Sequence, residues 1–346
     1  MLTLLPPRIA RATSGHAAAF ENGAISEHVP WRDSDGNVIN AHDGGIIYVN
    51  GMYHWYGLAL RPKPAVSGPD GGQKTTVGVV MYRSPDLHRW AYEGVVLACS
   101  HDPKNPLYAP MRFERPKILY DERTKQYVMW FHFVSYPGDH GNKPTQGEAG
   151  VATCSSVNGT YTYRGTMRPL GEDGIVRDLT VFQDDDGSAY LIYDRDVRIK
   201  GPGYGRVLHI VKLTDDYLGC TKTYFKIANA ARREAPVMIK RNGFYYLITS
   251  GMSGWKFNES NYYRAKNILG PYTEMGDPFI GAGRETTFQA QGTDAFAVAG
   301  RPAEFILMLE RHNVANMVES SYIWLPVHFT PDGGIEIRYL PSWLTD

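Results

Sequence analysis

The chain has 346 residues, enough for two average domains or for one large all-β domain with a sizeable core. Lysine and arginine together number 36, as do aspartate and glutamate, so no excess charge favours a nucleic acid or an anionic membrane as a partner. The 23 tyrosines, 7 tryptophans and 36 glycines favour strands, tight turns and sugar-stacking faces over helices.

The cysteines and the N-terminus indicate the cellular compartment in which the protein is expected. Cys99, Cys154 and Cys220 are odd in number and far apart, so they indicate neither a disulfide framework nor a zinc site. The apolar run at residues 1–5 is very short and ends at two prolines, which is untypical of a secretion signal, and no stretch has the length of a membrane span. The sequence therefore predicts a cytoplasmic protein without a membrane partner; a processed N-terminus would instead fit a periplasmic or secreted one. It carries no signal for a particular oligomeric state.

Five hairpin-like units follow one another along the chain, each with two short extended segments joined by a turn. They comprise residues 44–57, 115–133, 178–193, 233–251 and 294–309. The first and fourth have Asn-Gly turns, which are typical of two-residue β-hairpin loops. Further strand-like segments follow each unit. The acidic run Asp184-Asp185-Asp186-Gly187 superficially suggests a calcium-binding loop. Because it lacks the alternating ligands of such a loop, we interpret it as the turn of the third unit.

The spacing of these units predicts the fold. Tyr53, Tyr127, Tyr190, Tyr245 and Phe305, on the second strand of each unit, lie 74, 63, 55 and 60 residues apart. Three to four short strands at that interval are typical of propeller blades. We therefore expect a single all-β domain over residues 1–346, a five-bladed β-propeller with blades at roughly 42–100, 112–168, 176–226, 232–276 and 287–340. A two-sheet sandwich is the alternative, but it predicts no unit of this length repeated five times. Helical periodicity is nearly absent, and residues 258–268 form at most a short turn of helix.

A polar residue stands just before the first strand of every unit. These residues are Asp43, Glu114, Asp178, Glu234 and Gln291, at intervals of 71, 64, 56 and 57. Each alone could be a turn former, but five in phase with the blades would meet at the central funnel. A ring of acidic side chains destabilises the folded protein by charge repulsion unless some of them bind a ligand or share protons. Cleavage of a glycosidic bond needs one carboxylic acid and a second carboxylate, which such a ring supplies.

The segments around these residues resemble glycoside hydrolase family 43, the five-bladed propeller enzymes that act by inversion, and most closely its exo-β-1,3-galactanase branch. The resemblance spans residues 31 to 343. The matching segments are residues 40–46, 53–57, 113–117, 127–130, 177–180, 184–187, 233–236, 249–255, 287–291 and 322–326.

The resemblance implies roles for the ring. Glu234 matches the general acid, and Asp178 matches the carboxylate that raises the pKa of the acid and orients it. Glu114 matches the extra carboxylate with which the galactanase branch grips sugar hydroxyls, and Gln291 matches that branch's glutamine in place of a base. At Asp43 the chain departs from the branch, which has glycine there, and agrees with most of the family, which has its aspartate base there. We predict that Asp43 is the base and that Gln291 holds water or substrate.

Further substrate contacts are predicted next to these positions. His42 adjoins Asp43 and could donate to a sugar hydroxyl, although a structural histidine is equally consistent. Arg115 could hold Glu114 or a hydroxyl, although a salt bridge between blades is equally consistent. Trp255 after a glycine-rich turn is a candidate stacking platform, with burial in the core as the alternative. Arg311, between Glu310 and His312 at the start of the loop after the fifth unit, is a further candidate. The loops at 60–74 and 135–147 are expected to form the funnel walls. No metal or required cofactor is predicted, except that the resemblance leaves a structural cation in the central channel as a candidate, with His312 as its ligand.

The sequence thus predicts an inverting exo-glycoside hydrolase that releases a terminal galactosyl or pentofuranosyl unit from a plant-type oligo- or polysaccharide. Its carboxyl groups should lie about 6.5–9.5 Å apart. Asp43 puts the galactanase specificity in question, so α-L-arabinofuranosidase, β-D-galactofuranosidase or β-xylosidase activity is the alternative. Two readings from other classes are a non-catalytic carbohydrate-binding propeller and a glycoside phosphorylase. The complete acid and modulator pair argues against the first, and Asp43 argues against the second, which needs a basic cluster for phosphate.

Overall fold

The computed structural model describes residues 19–61, 76–100, 102, 104–108, 112–135, 146–171, 175–198, 204–227 and 232–345. Within these ranges the chain is almost entirely strand, with three 3-10 helices of three residues each. No helix found there is long and apolar enough to cross a bilayer. The loops predicted as funnel walls lie largely outside the described residues.

The strands succeed one another as short extended segments. The first thirteen are β1 (Ala19–Glu21), β2 (His42–Val49), β3 (Met52–Leu60), β4 (Thr76–Ser84), β5 (Ala91–Ala98), β6 (Arg112–Asp121), β7 (Gln126–Ser135), β8 (Gln146–Cys154), β9 (Thr162–Met167), β10 (Val176–Gln183), β11 (Ala189–Arg198), β12 (Tyr204–Leu213) and β13 (Cys220–Ile227). The others are β14 (Arg233–Arg241), β15 (Phe244–Gly251), β16 (Ser260–Ala265), β17 (Thr273–Gly276), β18 (Phe279–Ile280), β19 (Gln291–Val298), β20 (Arg301–Arg311), β21 (Ser321–Pro326), β22 (His328–Phe329), β23 (Ile335–Arg338) and β24 (Ser342–Leu344).

Consecutive strands pair into antiparallel sheets. Four sheets have four strands each, β2–β5, β6–β9, β10–β13 and β14–β17, and β19–β21 form a three-stranded sheet. The first strands of these sheets, β2, β6, β10, β14 and β19, contact one another in a closed ring. Apolar clusters fill the space between each neighbouring pair of sheets around that ring. A closed ring of radial sheets is a propeller, so the predicted fold class is confirmed.

The sheet count differs from the predicted number of blades. A sixth sheet of three strands forms from β18, β23 and β22, with β18 parallel to β23, and β1 pairs with β24 in a further two-stranded sheet. The sixth sheet contributes no strand to the inner ring. The repeat of hairpin-like units predicted five blades because β18 and β22 are only two residues long and show no recognisable periodicity. The turn of helix expected at 258–268 is also wrong, since Ser260–Ala265 is strand β16, where Tyr262 and Tyr263 are buried.

Both predicted Asn-Gly turns are present. Asn50 and Gly51 have φ values of 51° and 84°, and Asn242 and Gly243 have 51° and 74°. Two successive residues with positive φ form the turn that matches the twist of a two-residue hairpin. These turns lie between β2 and β3 and between β14 and β15.

A β-bulge near the start of each inner strand positions the polar ring. In the first four sheets, two residues of the inner strand face one residue of its neighbour. Asp43 is the first bulged residue of β2, Asp178 is the second of β10, and Glu114 and Glu234 immediately precede the bulges of β6 and β14. Gln291 lies two residues before the irregularity of β19. The five residues therefore spread over four consecutive positions relative to the bulge. Bulges re-aim side chains beside functional sites, which compensates for that spread.

Candidate active site

A cavity of ≈ 220 Å³ lies at the ends of the inner strands that carry the bulges. Seven of the nine predicted site residues line it: Asp43, Glu114, Arg115, Asp178, Glu234, Trp255 and Gln291. Its wall also contains side chains that were not predicted, among them His132, Arg177, Arg206 and Ser250, together with His312, which was predicted only as a candidate cation ligand.

Glu234 and Asp178 form the electrostatic centre of the cavity. Oδ2 of Asp178 accepts the backbone N–H of Ala235 at 3.1 Å and lies 3.2 Å from Nε of Arg115. Glu234 is 8% exposed. Burial and the negative charge of Asp178 raise the pKa of Glu234 to about 7, although Arg206 and Arg115 oppose the shift. Glu234 can therefore hold a proton near neutral pH, as a general acid must.

Gln291 is held by hydrogen bonds at both ends of its amide. Its oxygen Oε1 accepts Nη2 of Arg115 at 2.9 Å. Its nitrogen Nε2 donates to Oγ of Ser250 at 2.8 Å and lies 3.5 Å from Oε1 of Glu234. Because a guanidinium can only donate, this contact fixes the amide with its NH₂ group toward the acid.

Asp43 projects from a backbone that is held on both sides. Its N–H donates to Oε2 of Glu310 at 2.8 Å, and its carbonyl accepts Nζ of Lys117 at 2.6 Å. Its Oδ1 lies 3.7 Å from Nε2 of His312. Burial disfavours the charge on Asp43, but the nearby imidazole of His312 and the charge of Arg115 outweigh it and hold the pKa of Asp43 below its usual range. Asp43 is therefore an ionised carboxylate that can accept a proton.

Glu114 and Trp255 lie on the cavity wall as expected. Oε2 of Glu114 is 2.9 Å from Nδ1 of His132, its cross-strand partner on β7. The indole of Trp255 is 49% exposed and meets the ring of His312 edge-on, with centroids 5.5 Å apart. Burial in the core, the alternative for Trp255, is excluded by this exposure.

Two predicted substrate contacts are placed elsewhere. His42 is 1% exposed, and its Nδ1 donates to Oε1 of Glu310 at 2.5 Å, so it supports the site from behind. Arg311 is 0% exposed and donates to backbone carbonyls, among them Phe288 at 3.1 Å and Gln289 at 3.3 Å. It therefore anchors the segment before β19 and does not reach the cavity.

Several buried charged groups behind the wall were missed by sequence reasoning. Glu310 is fully buried and bonds both His42 and the backbone of Asp43. Lys117 donates to the carbonyls of Asp43, Gly44 and Pro116. Asp194 and Asp196 lie on β11, next to Arg206 of β12. The signal for the last group was present in the sequence, because two aspartates at spacing two extend the apolar strand Tyr190–Tyr193.

One group of side chains has the composition of a cation site. Asp43, Glu310 and His312 each place a ligand atom within 4.8 Å of the others. However, both oxygens of Glu310 are already bonded, and three donors are few for a cation such as Ca²⁺, which takes six to eight oxygens. A second group, Glu114, His132 and Asp178, contains the carboxylate that pairs with the guanidinium of Arg115, which disfavours a cation there.

Known proteins share both the sequence pattern and the fold. The sequence profile of the glycosyl hydrolases family 43 matches residues 41–334. A solved β-1,3-galactosidase of that family superimposes with a TM-score of 0.81 at 29% identity, over 95% of this chain and 64% of the other. The chain thus spans less than two thirds of that protein. The exo-β-1,3-galactanase of Phanerochaete chrysosporium, solved with β-1,3-galactotriose, superimposes with a TM-score of 0.78 at 28% identity, over 95% of this chain and 68% of the other.

A curated relative points to a different sugar ring. The β-D-galactofuranosidase of Aspergillus niger is 26% identical over 271 residues, which cover 73% of this chain and 75% of that protein. Together with the cavity and its carboxylates, the matches confirm the family and the enzyme class expected from the sequence. The chain belongs to the glycosyl hydrolases of family 43.

Proposed function

We propose that the protein is an inverting exo-glycosidase that removes a terminal galactosyl unit, with Glu234 as general acid and Asp43 as general base. The observation that carries the proposal is the pair of opposed carboxyl environments in one cavity. The pKa of Glu234 is raised to about 7, whereas that of Asp43 is lowered by its cationic neighbours. Two carboxyl groups whose pKa values are pushed apart in this way can serve as acid and base.

In the reaction, Glu234 gives its proton to the glycosidic oxygen as the bond from that oxygen to the anomeric carbon breaks. A water molecule attacks the anomeric carbon from the opposite face and gives its proton to the carboxylate of Asp43. The products are a free sugar of inverted anomeric configuration and a shortened glycan. Loss of the proton from Asp43 and uptake of one by Glu234 restore the enzyme. Asp178 disfavours the ionised form of Glu234 before the reaction, and Arg115 fixes Asp178 and Gln291.

Galactose is the sugar we favour because the two solved structures described above are named for activity on β-1,3-linked galactose. The cavity of ≈ 220 Å³ has room for about one sugar ring, which agrees with removal of single terminal units. A furanosyl unit is the second candidate. It is supported by Asp43, the residue at which the galactanase branch has glycine, and by the galactofuranosidase relative.

The test is a screen of nitrophenyl glycosides of galactose, galactofuranose, arabinofuranose and xylose, together with β-1,3-galactobiose. Glu234→Gln and Asp178→Asn should each abolish turnover of the best disaccharide while circular dichroism stays unchanged. NMR of the first product should show the inverted anomer. Full activity of Glu234→Gln would end the proposal, and binding of oligosaccharide without release of sugar would make the protein a carbohydrate-binding propeller.

A further inference from the structure

A network of buried charges extends from the acid into the third sheet. Nη1 of Arg206 contacts Oε2 of Glu234 and lies 3.1 Å from Oδ2 of Asp194. Its Nε lies 3.3 Å from Oδ1 of Asp196, whose other oxygen accepts Nη2 of Arg177 at 2.8 Å. Asp196 and Arg206 stand opposite each other in the ladder between β11 and β12. Apart from Glu234, none of the residues in this network was expected in the site.

Two nitrogens of Arg206, Nη1 and Nε, therefore contact three carboxyl groups. Asp194 is 0% exposed, and the pKa of its carboxyl is raised well above the ordinary value, first by burial. Burying several charged groups is costly unless they compensate one another. Arg206 supplies that compensation for three carboxyl groups, and its planar fork can bind two of them in fixed directions, which a lysine cannot do.

We infer that Arg206 is a positioning residue for the acid: it holds the Glu234 carboxyl in place and stabilises the negative charge that remains once the proton has passed to the leaving group. The inference rests on the proposed function. The other groups that act on Glu234 are Asp178 on β10, Asp194 on β11, Arg115 on β6 and the amide of Gln291 on β19. Among them Arg206 is the cation in direct contact with a Glu234 oxygen. Its contacts with Asp194 and Asp196 hold Arg206 beside the acid.

The inference predicts the direction of a shift in the pH profile. A cation beside a carboxylate favours the charged form, so its removal raises the pKa of the acid. In Arg206→Met the alkaline limb of kcat/KM should therefore move up by about one pH unit. Arg206→Lys should move it in the same direction by less, with a lower kcat. Arg123→Met is the matched control, since Arg123 is an exposed arginine that pairs with Asp121 and Asp215 outside the cavity, and its profile should equal that of the unchanged protein.

The experiment measures kcat/KM against pH for these variants on the disaccharide identified by the screen. In parallel, ¹³C NMR follows the titration of the Glu234 carboxyl, so that the comparison does not depend on turnover. Ethylguanidinium added to Arg206→Ala should return the limb toward its original position. Profiles and titrations that superimpose on those of the unchanged protein would overturn the inference while leaving the proposed function intact if Glu234→Gln is still inactive. If Arg206→Met does not fold, the Glu234 titration is measured in Arg206→Gln, which removes the charge but keeps a polar side chain, and an unchanged titration there would overturn the inference.

Discussion

Nη2 of Arg115 lies 2.9 Å from the amide oxygen of Gln291, and Nε of the same guanidinium lies 3.2 Å from Asp178. One buried arginine thus orients both Asp178, the proposed modulator of the acid, and the glutamine beside it. Arg115 sits in the bulge of β6 with a φ of 53°, which brings its side chain under the cavity. The amide of Gln291 is consequently fixed, which agrees with the proposed role of orienting a water molecule or substrate and with Asp43 as the proposed base.

Replacement of Asp43 by asparagine separates the two candidates for the base. We expect Asp43→Asn to lower kcat by about 10²- to 10⁴-fold, because an amide cannot accept the proton of the attacking water. Gln291→Ala should lower kcat less. Both variants are measured on the disaccharide substrate, with thermal unfolding as the check on folding. Unchanged turnover in Asp43→Asn would transfer the role of base to Gln291.

The pH dependence follows from the opposite shifts of the two carboxyl groups. Glu234 must be protonated, so kcat/KM should fall as the pH rises through about 7, where burial and Asp178 place its pKa. Asp43 must be ionised, and because its pKa is held below the usual range, activity should persist well into acidic solution. Asp178→Asn removes the charge that raises the pKa of Glu234 and should move the alkaline limb of any residual activity downward. A limb that rises in this variant would contradict the assignment.

Trp255 is expected to contribute to substrate binding and little to stability. Because its indole is 49% exposed on the cavity wall, Trp255→Ala should raise KM about tenfold, which corresponds to a loss of about 1.4 kcal/mol of stacking. Trp255→Phe should recover part of the lost stacking energy. Tyr92→Ala is the control, since Tyr92 is 47% exposed and does not line the cavity. Equal KM values for Trp255→Ala and the unchanged protein would remove Trp255 from the binding surface.

The backbone at Gly45 lies close to side chains of neighbouring strands inside the ring. A Cβ atom at this position would lie 2.0 Å from Oδ2 of Asp294 and 2.7 Å from the hydroxyl of Tyr56. Gly45→Ala should therefore lower the free energy of unfolding by about 1–3 kcal/mol. In Gly219→Ala the nearest atom is Oγ1 of Thr214 at 3.3 Å, so this control should unfold nearly as the original does. Chemical denaturation measures both, and a neutral Gly45→Ala would show that the inner strands can separate.

Removal of divalent cations should leave activity unchanged. Between Asp43 and Glu310, the positive charge is supplied by His312, whose pKa is raised to about 9: burial opposes the shift, but the negative charges of Glu310 and Asp43 outweigh it. Lys117 and Arg115 add further positive charge near Asp43. The measurement is kcat/KM before and after treatment with EDTA and desalting. Loss of activity that Ca²⁺ restores would instead establish a cation in the channel.

The sequence predicted the propeller and most of the cavity because both depend on local features. Hairpin turns, alternation and a polar residue before each inner strand are readable without knowing how the strands pair. The choice of Arg311 failed because alternate residues of a strand face opposite sides: Glu310 and His312 face the site, while Arg311 points away. Periodicity gives two faces but does not say which one is inward.

Charged groups from the second and third strands could not be assigned in the same way. Asp194, Asp196 and Arg206 reach Glu234 only through the register of β11 with β12 and the packing of the third sheet against the fourth. Nothing local in the sequence specifies that register. The offset of the five polar residues relative to the bulges escaped prediction for the same reason, since a bulge is a property of the pairing and not of one strand.

The left-handed backbone at residue 43, with its φ of 55°, has an evolutionary consequence. Glycine takes this conformation freely and aspartate at modest cost, whereas most other side chains resist it. Some glycine codons become aspartate codons through a single nucleotide change. One point mutation can therefore exchange the two residues without straining the strand that carries them, and would thereby add or remove the proposed base.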